Sequence, residues 1–179
     1  MSAVSGGGWS SVGGGQGCHT RGGRKASVVL IIVWPARDDR SISDEPLPDA
    51  ALAILPKPNP AVMATVTPKG RPVSVATWYL IEEHGRLMLC MNADRARLKH
   101  LQSNGYVALT VLVADDFGTH ISLQGHVVSI KSDEGLADMD RLSRHFLGRD
   151  YPAKDSPLVT VHVAIDRWFG WSGGRPLQY

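Results

Sequence analysis

The sequence predicts a mainly β (α+β) domain, a barrel of about six antiparallel strands with short helices. Three observations lead there. Short runs rich in β-branched and apolar residues recur from Ala61 to Ile165, separated by turn signals such as Pro68-Lys69-Gly70 and Asp115-Asp116-Phe117-Gly118. Only a few stretches carry helical spacing. One strand, Thr119 to about Lys131, is long enough to bend round a barrel, and Gly125 in its interior marks a bulge or a close backbone approach.

Residues 1–46 hold GGGWSSVGGGQG, RGGRK, a short apolar patch and the charged ARDDR, with no sustained period, and are expected to form a disordered Gly-rich N-terminal extension. An upstream start assignment would produce the same kind of leader. The folded domain is expected over residues 47–179. Ala50 to Leu55 reads as a short helix ended by Pro56, Pro58 and Pro60. Ala61 to Thr67 places Val62, Ala64 and Val66 on one face and enters a tight turn, from which Arg71 to Leu80 returns as the second strand of a hairpin. After a turn at Glu82 to Gly85, Arg86 to Met91 makes a third strand, so three strands are expected to meander before the first longer helix. That helix ends at Asn104-Gly105, a C-cap pair. Tyr106 to Val113 and Thr119 to Lys131 continue the sheet. Ser132, with Asp133 and Glu134, is expected to cap a second helix whose apolar face is Leu136, Met139, Leu142 and Phe146, with Gly148 at its end. Leu158 to Ile165 alternates Val159, Val161, Val163 and Ile165 against Thr160, His162, Ala164 and Asp166, a half-buried last strand.

Composition narrows the function classes. The chain has 179 residues, 43% of them apolar, enough for one domain with a true core. A net charge of +2 and a pI near 8.6 are too mild for wholesale nucleic-acid binding and suit a small anionic ligand better. Cys18 and Cys90 support neither a disulfide framework nor a zinc site, which makes a reducing cytoplasm the simplest setting. The longest apolar run, Val28 to Trp34, falls far short of the ~20 residues of a membrane span. Arg21, Arg24 and Lys25 before it imitate a signal peptide, but no clear cleavage site follows.

The most informative stretch is Asn92 to Leu101, NADRARLKHL, which follows the apolar run Leu87 to Met91. A strand feeding an Asn-capped helix gathers unpaired N–H groups and the positive end of the helix dipole at one place, and Arg95, Arg97, Lys99 and His100 add charge around it. Leu98 and Leu101 share the buried face, with Arg97 and His100 on one flank and Arg95 and Lys99 on the other. Such a pattern reads as an anion site; a solvated basic helix face is the common alternative.

In this order of elements the chain resembles the pyridoxamine-phosphate-oxidase-like split β-barrel flavoproteins, and more narrowly their branch that uses the deazaflavin coenzyme F-420. The segments that carry the resemblance are PAVMATVTPKGRPVSVATWYL, DRARLKHLQSNGYVAL, THISLQGHVVSI and IDRWFGWSGG. In that family the basic segment runs R-A-K-x-R-N-L; here Arg97 replaces the Lys and His100 the Asn. Arg97 keeps the charge as a planar fork that can still grip phosphate or carboxylate. The resemblance implies a homodimer with its cofactor, F-420 or alternatively FMN, in a groove between subunits. The cofactor's phosphate and acidic tail would lie on Arg95, Arg97 and Lys99, near His100, and its ring against Ser74, Val75, Ala76, Thr77, Met91 and Asn92. Trp78 reads as a dimer or core residue, and Trp78, Trp168, Phe169 and Trp171 as interface surface, although the simpler account of Trp168 to Trp171 is a C-terminal segment packing on its own barrel.

The implied activity is hydride transfer to a small conjugated or electron-poor acceptor. No Ser/His/Asp or Cys/His constellation is present, in keeping with chemistry carried by the cofactor. His120 and His126 are conceivable proton donors, with a structural role as the alternative for each. Phe117, Gly118 and His120 would close the site from a loop or simply form a hairpin turn. The rival class is a non-catalytic cofactor or tetrapyrrole binder. Zinc hydrolysis is poorly supported, because the seven His show no paired ligand spacing.

Overall fold

The computed structural model describes residues 47–153 and 155–177. The extension expected over residues 1–46 lies outside the described residues. Helix α1 (Asp49–Ile54) precedes strands β1 (Ala61–Val66), β2 (Pro72–Thr77), β3 (Leu80–Ile81) and β4 (Leu87–Asn92). Helix α2 (Ala96–Asn104), β5 (Tyr106–Val113), β6 (Asp116–Ser132), α3 (Ala137–Leu147), β7 (Leu158–Ser172) and β8 (Arg175–Pro176) follow. All strands belong to one eight-stranded sheet, ordered β2-β1-β5-β6-β7-β4-β3 with β8 on β7, antiparallel throughout and not closed. The expected class of mainly antiparallel β with short helices is the observed one. The count exceeds six because β3 and β8 are two-residue strands.

The first hairpin forms as its turn chemistry dictates. Thr67 N–H donates to the Arg71 carbonyl, and Gly70 takes φ 77°, a conformation that costs glycine nothing. The expected return strand, Arg71 to Leu80, is broken: β2 ends at Thr77, and the chain turns inward through Tyr79, which has no exposed surface, before β3. The expected three-strand meander is therefore corrected. β4 pairs with β3 and β7 at the other side of the sheet, because its residues are buried on both faces and an edge beside exposed β2 would leave them wet. On β1 the core side is Ala61, Met63 and Thr65, and Val62, Ala64 and Val66 face outward.

The main core fills the inside of the barrel with Met63, Leu89, Leu109, Val111, Ile121, Leu123, Val161 and Val163. β6 bends across β7 through register shifts at Gln124/Gly125 and Val127/Ser129. A Cβ on Gly125 would lie 2.1 Å from the Ala164 carbonyl oxygen, so the close approach inferred from the sequence is the observed reason for that glycine. β7 runs to Ser172, well past Ile165.

A second cluster lies on the other face of β4, where Met88 and Cys90 meet Leu136, Met139, Leu142 and Leu158 beneath α3. Ser132, expected to cap this helix, instead ends β6. The Asp133 carboxylate does the capping, accepting from the N–H groups of Asp138 (3.0 Å) and Met139 (2.9 Å). Polar contacts tie α3 to the sheet. Arg141 donates to Glu82 at 3.0 Å and to Asp138 at 3.0 Å, and the Thr160 hydroxyl donates to Asp138 at 2.9 Å. His162 stands 3.3 Å from Glu82 through Nε2 and 3.1 Å from Ser129 through Nδ1. Among the described residues, no helix is long and apolar enough to cross a membrane.

Burial holds the His162 imidazole below its ordinary pKa, with the Glu82 carboxylate opposing only in part. A depressed value means the unfolded chain takes up the proton first. This contribution to stability is therefore full above about pH 6.5, the ordinary imidazole value, and is lost as pH falls through the lower folded value. Thermal melts of wild type and His162→Gln should diverge in their pH dependence below that point, with the variant flatter; parallel curves would contradict this assignment.

Candidate functional site

Helix α2 begins one turn later than an Asn-capped helix would. Asn92 closes β4, and its Oδ1 accepts from the Asp94 N–H (3.2 Å) in a local turn; Arg95 is the N-cap residue, with no side-chain cap bond. The Asn cap expected from the sequence is thereby corrected. The C-terminus is as expected, with Gly105 at φ 78° donating to the Leu101 carbonyl at 2.8 Å. Leu98 and Leu101 are buried and pin the helix over the barrel mouth.

The two basic flanks of α2 have different fates. Arg95 and Lys99 are exposed, whereas Arg97 and His100 are half-buried. His100 is engaged with the barrel, its Nδ1 3.0 Å from the buried Thr65 hydroxyl. Arg97 has a fully buried Nε with no hydrogen-bond partner. Burial, and secondarily the neighbouring Arg95 charge, lowers the pKa of its guanidinium, yet arginine remains charged in proteins. That buried N–H has no acceptor, and an anion would supply one.

Arg97 lines a cavity of ≈ 470 Å³ between the β2 edge, β4 and α3. The rest of the wall is almost wholly apolar: Pro58, Pro60, Ala61 and Ala76 on one side, and Met139, Leu142 and Phe146 of α3 on the other. Trp78 stacks on Phe146 with centroids 5.5 Å apart and planes 13° apart, forming a flat aromatic flank. Two further polar groups line it. The Thr77 hydroxyl is engaged with the Trp78 carbonyl at 3.1 Å, and the Cys90 thiol, which burial pushes up to about 12, is neutral. Such a cavity suits a flat, largely apolar molecule bearing an anionic group.

Of the residues singled out from the sequence, Ala76, Thr77 and Arg97 meet in this wall. Ser74 and Val75 are exposed on β2 outside it, and Arg95 and Lys99 stand on the outer flank of α2. The Met91 side chain is 2% exposed and belongs to the barrel core, and the half-buried Asn92 is committed to its turn. Sequence reasoning missed the contribution of α3. Met139, Leu142 and Phe146 have helical apolar spacing, which signals burial without showing that part of the buried face borders a cavity. It also read Cys90 as a plain strand residue and Trp78 as core or interface; both line the cavity. Phe117 is 81% exposed at the β5–β6 turn, where Asp116 accepts from the Gly118 N–H and the Thr119 hydroxyl. His126 Nδ1 lies 2.7 Å from Asp166 Oδ1, and neither it nor His120 lines the cavity. No group of His, Cys, Asp and Glu suited to a metal ion occurs among the described residues.

Comparison with known proteins agrees with this architecture. The sequence profile of the pyridoxamine 5'-phosphate oxidase family matches residues 47–172. No curated protein sequence matches the chain significantly. Among solved structures, an F-420 reductase superposes with a TM-score of 0.63 at 23% identity, covering 68% of this chain and 98% of that one. A conserved hypothetical protein from Mycobacterium tuberculosis gives 0.53 at 19% identity, covering 76% and 94%. General Stress Protein 26 from Bacillus anthracis gives 0.53 at 16%, covering 73% and 97%. At these identities the likeness establishes the fold alone.

A buried Nε–H with no acceptor, on a charged side chain, is a cost the fold bears. Replacing it by an apolar side chain of similar length, Arg97→Met, should leave the protein as stable as wild type or about 0.5–1 kcal/mol more stable in urea or thermal unfolding. A clear loss of stability would show that Arg97 has a structural partner.

Proposed function

Since this chain belongs to the pyridoxamine 5'-phosphate oxidase family, we propose that it is a cytoplasmic, deazaflavin (coenzyme F-420)-dependent oxidoreductase that transfers hydride to a small conjugated or electron-poor acceptor. The observation that carries this reading is the orphaned Arg97 Nε in an apolar cavity with an aromatic flank. The group fits the residues: a planar ring has Ala76, Thr77 and the Trp78–Phe146 stack to lie against, and an acidic group has Arg97. Arg95 and Lys99, on the exposed flank, would meet the more distant negative charges of a long tail. Similarity to an F-420 reductase supports the choice of deazaflavin. The family match gives FMN its own support as the alternative cofactor.

When bound, a reduced deazaflavin supplies the hydride. The chain's own residues bind, orient and exclude water. Arg97 anchors the anionic end, the stacked pair Trp78–Phe146 limits tilting of a flat molecule, and Met139 and Leu142 keep the reacting face dry.

The proposal includes a homodimer. The outward face of β2, β1, β5, β6 and β7 carries the cross-strand row Ala76–Val62–Thr110–Ser122–Phe169, next to the row Leu112–His120–Trp171. Phe169 is 51% exposed and Trp171 41%, large apolar surface on one face of the sheet. Trp168, counted with them from the sequence, is 9% exposed and packs in its own barrel, and Trp78 is engaged with Phe146.

Titration of the protein with the deazaflavin and with FMN, followed by tryptophan fluorescence, tests the reading, because Trp78 reports from the cavity wall. Micromolar or tighter deazaflavin binding is expected, weakened at least about thirtyfold by Arg97→Glu. Preference for FMN would shift the assignment to a flavin oxidoreductase, and binding of neither would favour a tetrapyrrole or other non-catalytic binder. Unchanged affinity in Arg97→Glu would move the anion site away from the cavity. Sedimentation at micromolar concentration should show a dimer that Phe169→Asp dissociates; a wild-type monomer would remove the intersubunit groove from the proposal.

A further inference from the structure

The cavity divides into a charged end and an uncharged remainder. Among the described residues that line it, Arg97 alone carries a charge, and its Nε–H lacks an acceptor. Another wall belongs to α3, and that helix directs its own basic residues elsewhere. Arg141 donates to Glu82 and Asp138, both at 3.0 Å, and Arg144 to Asp150 at 2.6 Å. His145 meets Phe146 edge-to-face, with centroids 5.1 Å apart, and does not line the cavity. What α3 presents to the cavity is Met139, Leu142 and Phe146.

Few hydrogen-bond donors stand on that side. The Thr77 hydroxyl donates to the Trp78 carbonyl, and the Cys90 thiol is a weak donor with the Thr160 hydroxyl 3.8 Å away. A carboxylate only accepts hydrogen bonds, so beside α3 it would lose water and gain almost nothing in exchange. A flat uncharged ring would lose little and gain contact with aromatic and aliphatic surface. That surface is held in place. Phe146 stacks on Trp78 and packs edge-to-face with Tyr79 at 6.1 Å as well as with His145, so its ring has little freedom to turn aside. Volume points the same way. At ≈ 470 Å³ the cavity lies in the lower half of the ~300–1,000 Å³ range of small-molecule sites, which leaves little space for the water a second anion would need.

We propose that the cavity takes one anion at a time, so that the cofactor-loaded site admits only uncharged acceptors. Arg97 is reserved for the anionic end of the cofactor. The α3 face of Met139, Leu142 and Phe146 then selects flat conjugated molecules that carry no carboxylate, sulfonate or phosphate. This inference rests on the oxidoreductase reading above and adds to it the residues that set acceptor specificity.

The test compares a methylnaphthoquinone that carries a propionate on the remaining quinone carbon with the methyl ester of the same compound. The saturated linker keeps the two rings alike, and full substitution of the quinone carbons prevents addition of a thiol. Binding is read by calorimetry, without turnover, on wild type free of cofactor and on wild type loaded with the oxidised deazaflavin. In the cofactor-free protein Arg97 is open, and the acid should bind about fivefold or more tighter than the ester. Loading should invert that order, with the ester at least about thirtyfold tighter than the acid. In cofactor-free Arg97→Met the acid should lose its advantage. Phe146→Arg, which adds a cation on the α3 side, should raise the affinity of the loaded protein for the acid at least about tenfold. If that variant does not fold, the inversion in wild type decides alone. An order of affinities that loading leaves unchanged, equal binding of acid and ester to the loaded protein, or binding of neither to it overturns the inference and leaves the oxidoreductase reading standing. The same holds if folded Phe146→Arg gains no affinity for the acid. If wild type takes up neither deazaflavin nor FMN, both fall.

Discussion

The structure turns on strand β4, whose residues Leu87 to Met91 are buried on both faces. One set, Leu87, Leu89 and Met91, belongs to the barrel interior, and the alternate set, Met88 and Cys90, lies under α3. A strand apolar on both sides cannot sit at an open edge beside water, so it is drawn between β7 and a covering helix, and β3 is carried along to shield its other side. That placement separates β4 from the first hairpin and opens the sheet between β2 and β3. The cavity lies in this opening, with β2 on one side and α3 on the other.

Around that gap the protein is arranged with unequal satisfaction of its polar groups. Where α3 crosses the sheet, Glu82, Arg141, Asp138, Thr160 and His162 are linked in pairs, and Asp133 answers the N–H groups of the helix start. Where α2 borders the cavity, the Arg97 Nε is left without a partner. The polar groups beneath α3 are paired, and the one buried N–H without an acceptor faces the opening, which is where the proposed function seats its anion. The same asymmetry separates Arg97 from its neighbours on α2, since Arg95 and Lys99 are exposed and His100 is engaged with Thr65.

Much of the architecture was legible because local chemistry decided it. The Pro68-Lys69-Gly70 turn, the Asn104-Gly105 helix end, the buried pair Leu98 and Leu101, and the need for glycine at position 125 each follow from rules that act over a few residues. The errors have a common cause. Asn92 and Ser132 are good capping residues by type, but strand pairing holds both at the ends of β4 and β6; Arg95 stands at the cap position of α2, and the Asp133 carboxylate reaches forward to the first N–H groups of α3. Arg71 to Leu80 is β-rich throughout, yet long-range burial of Tyr79 divides it. The inward side of β1 was not legible, because apolar residues alternate with small ones on both faces.

By itself the sequence determined the class of fold, the positions of most turns and helix ends, and the concentration of positive charge on α2, since these depend on periodicity, backbone conformational preference and residue type. Only the tertiary structure decided which of those charges is drawn toward the interior and what stands opposite it. Cys90 and Phe146 are 56 residues apart in the chain and reach one cavity because β4 and α3 bury a shared apolar face. Such a meeting depends on strand order, a long-range balance of buried area against exposed edge, and no local window of sequence contains it.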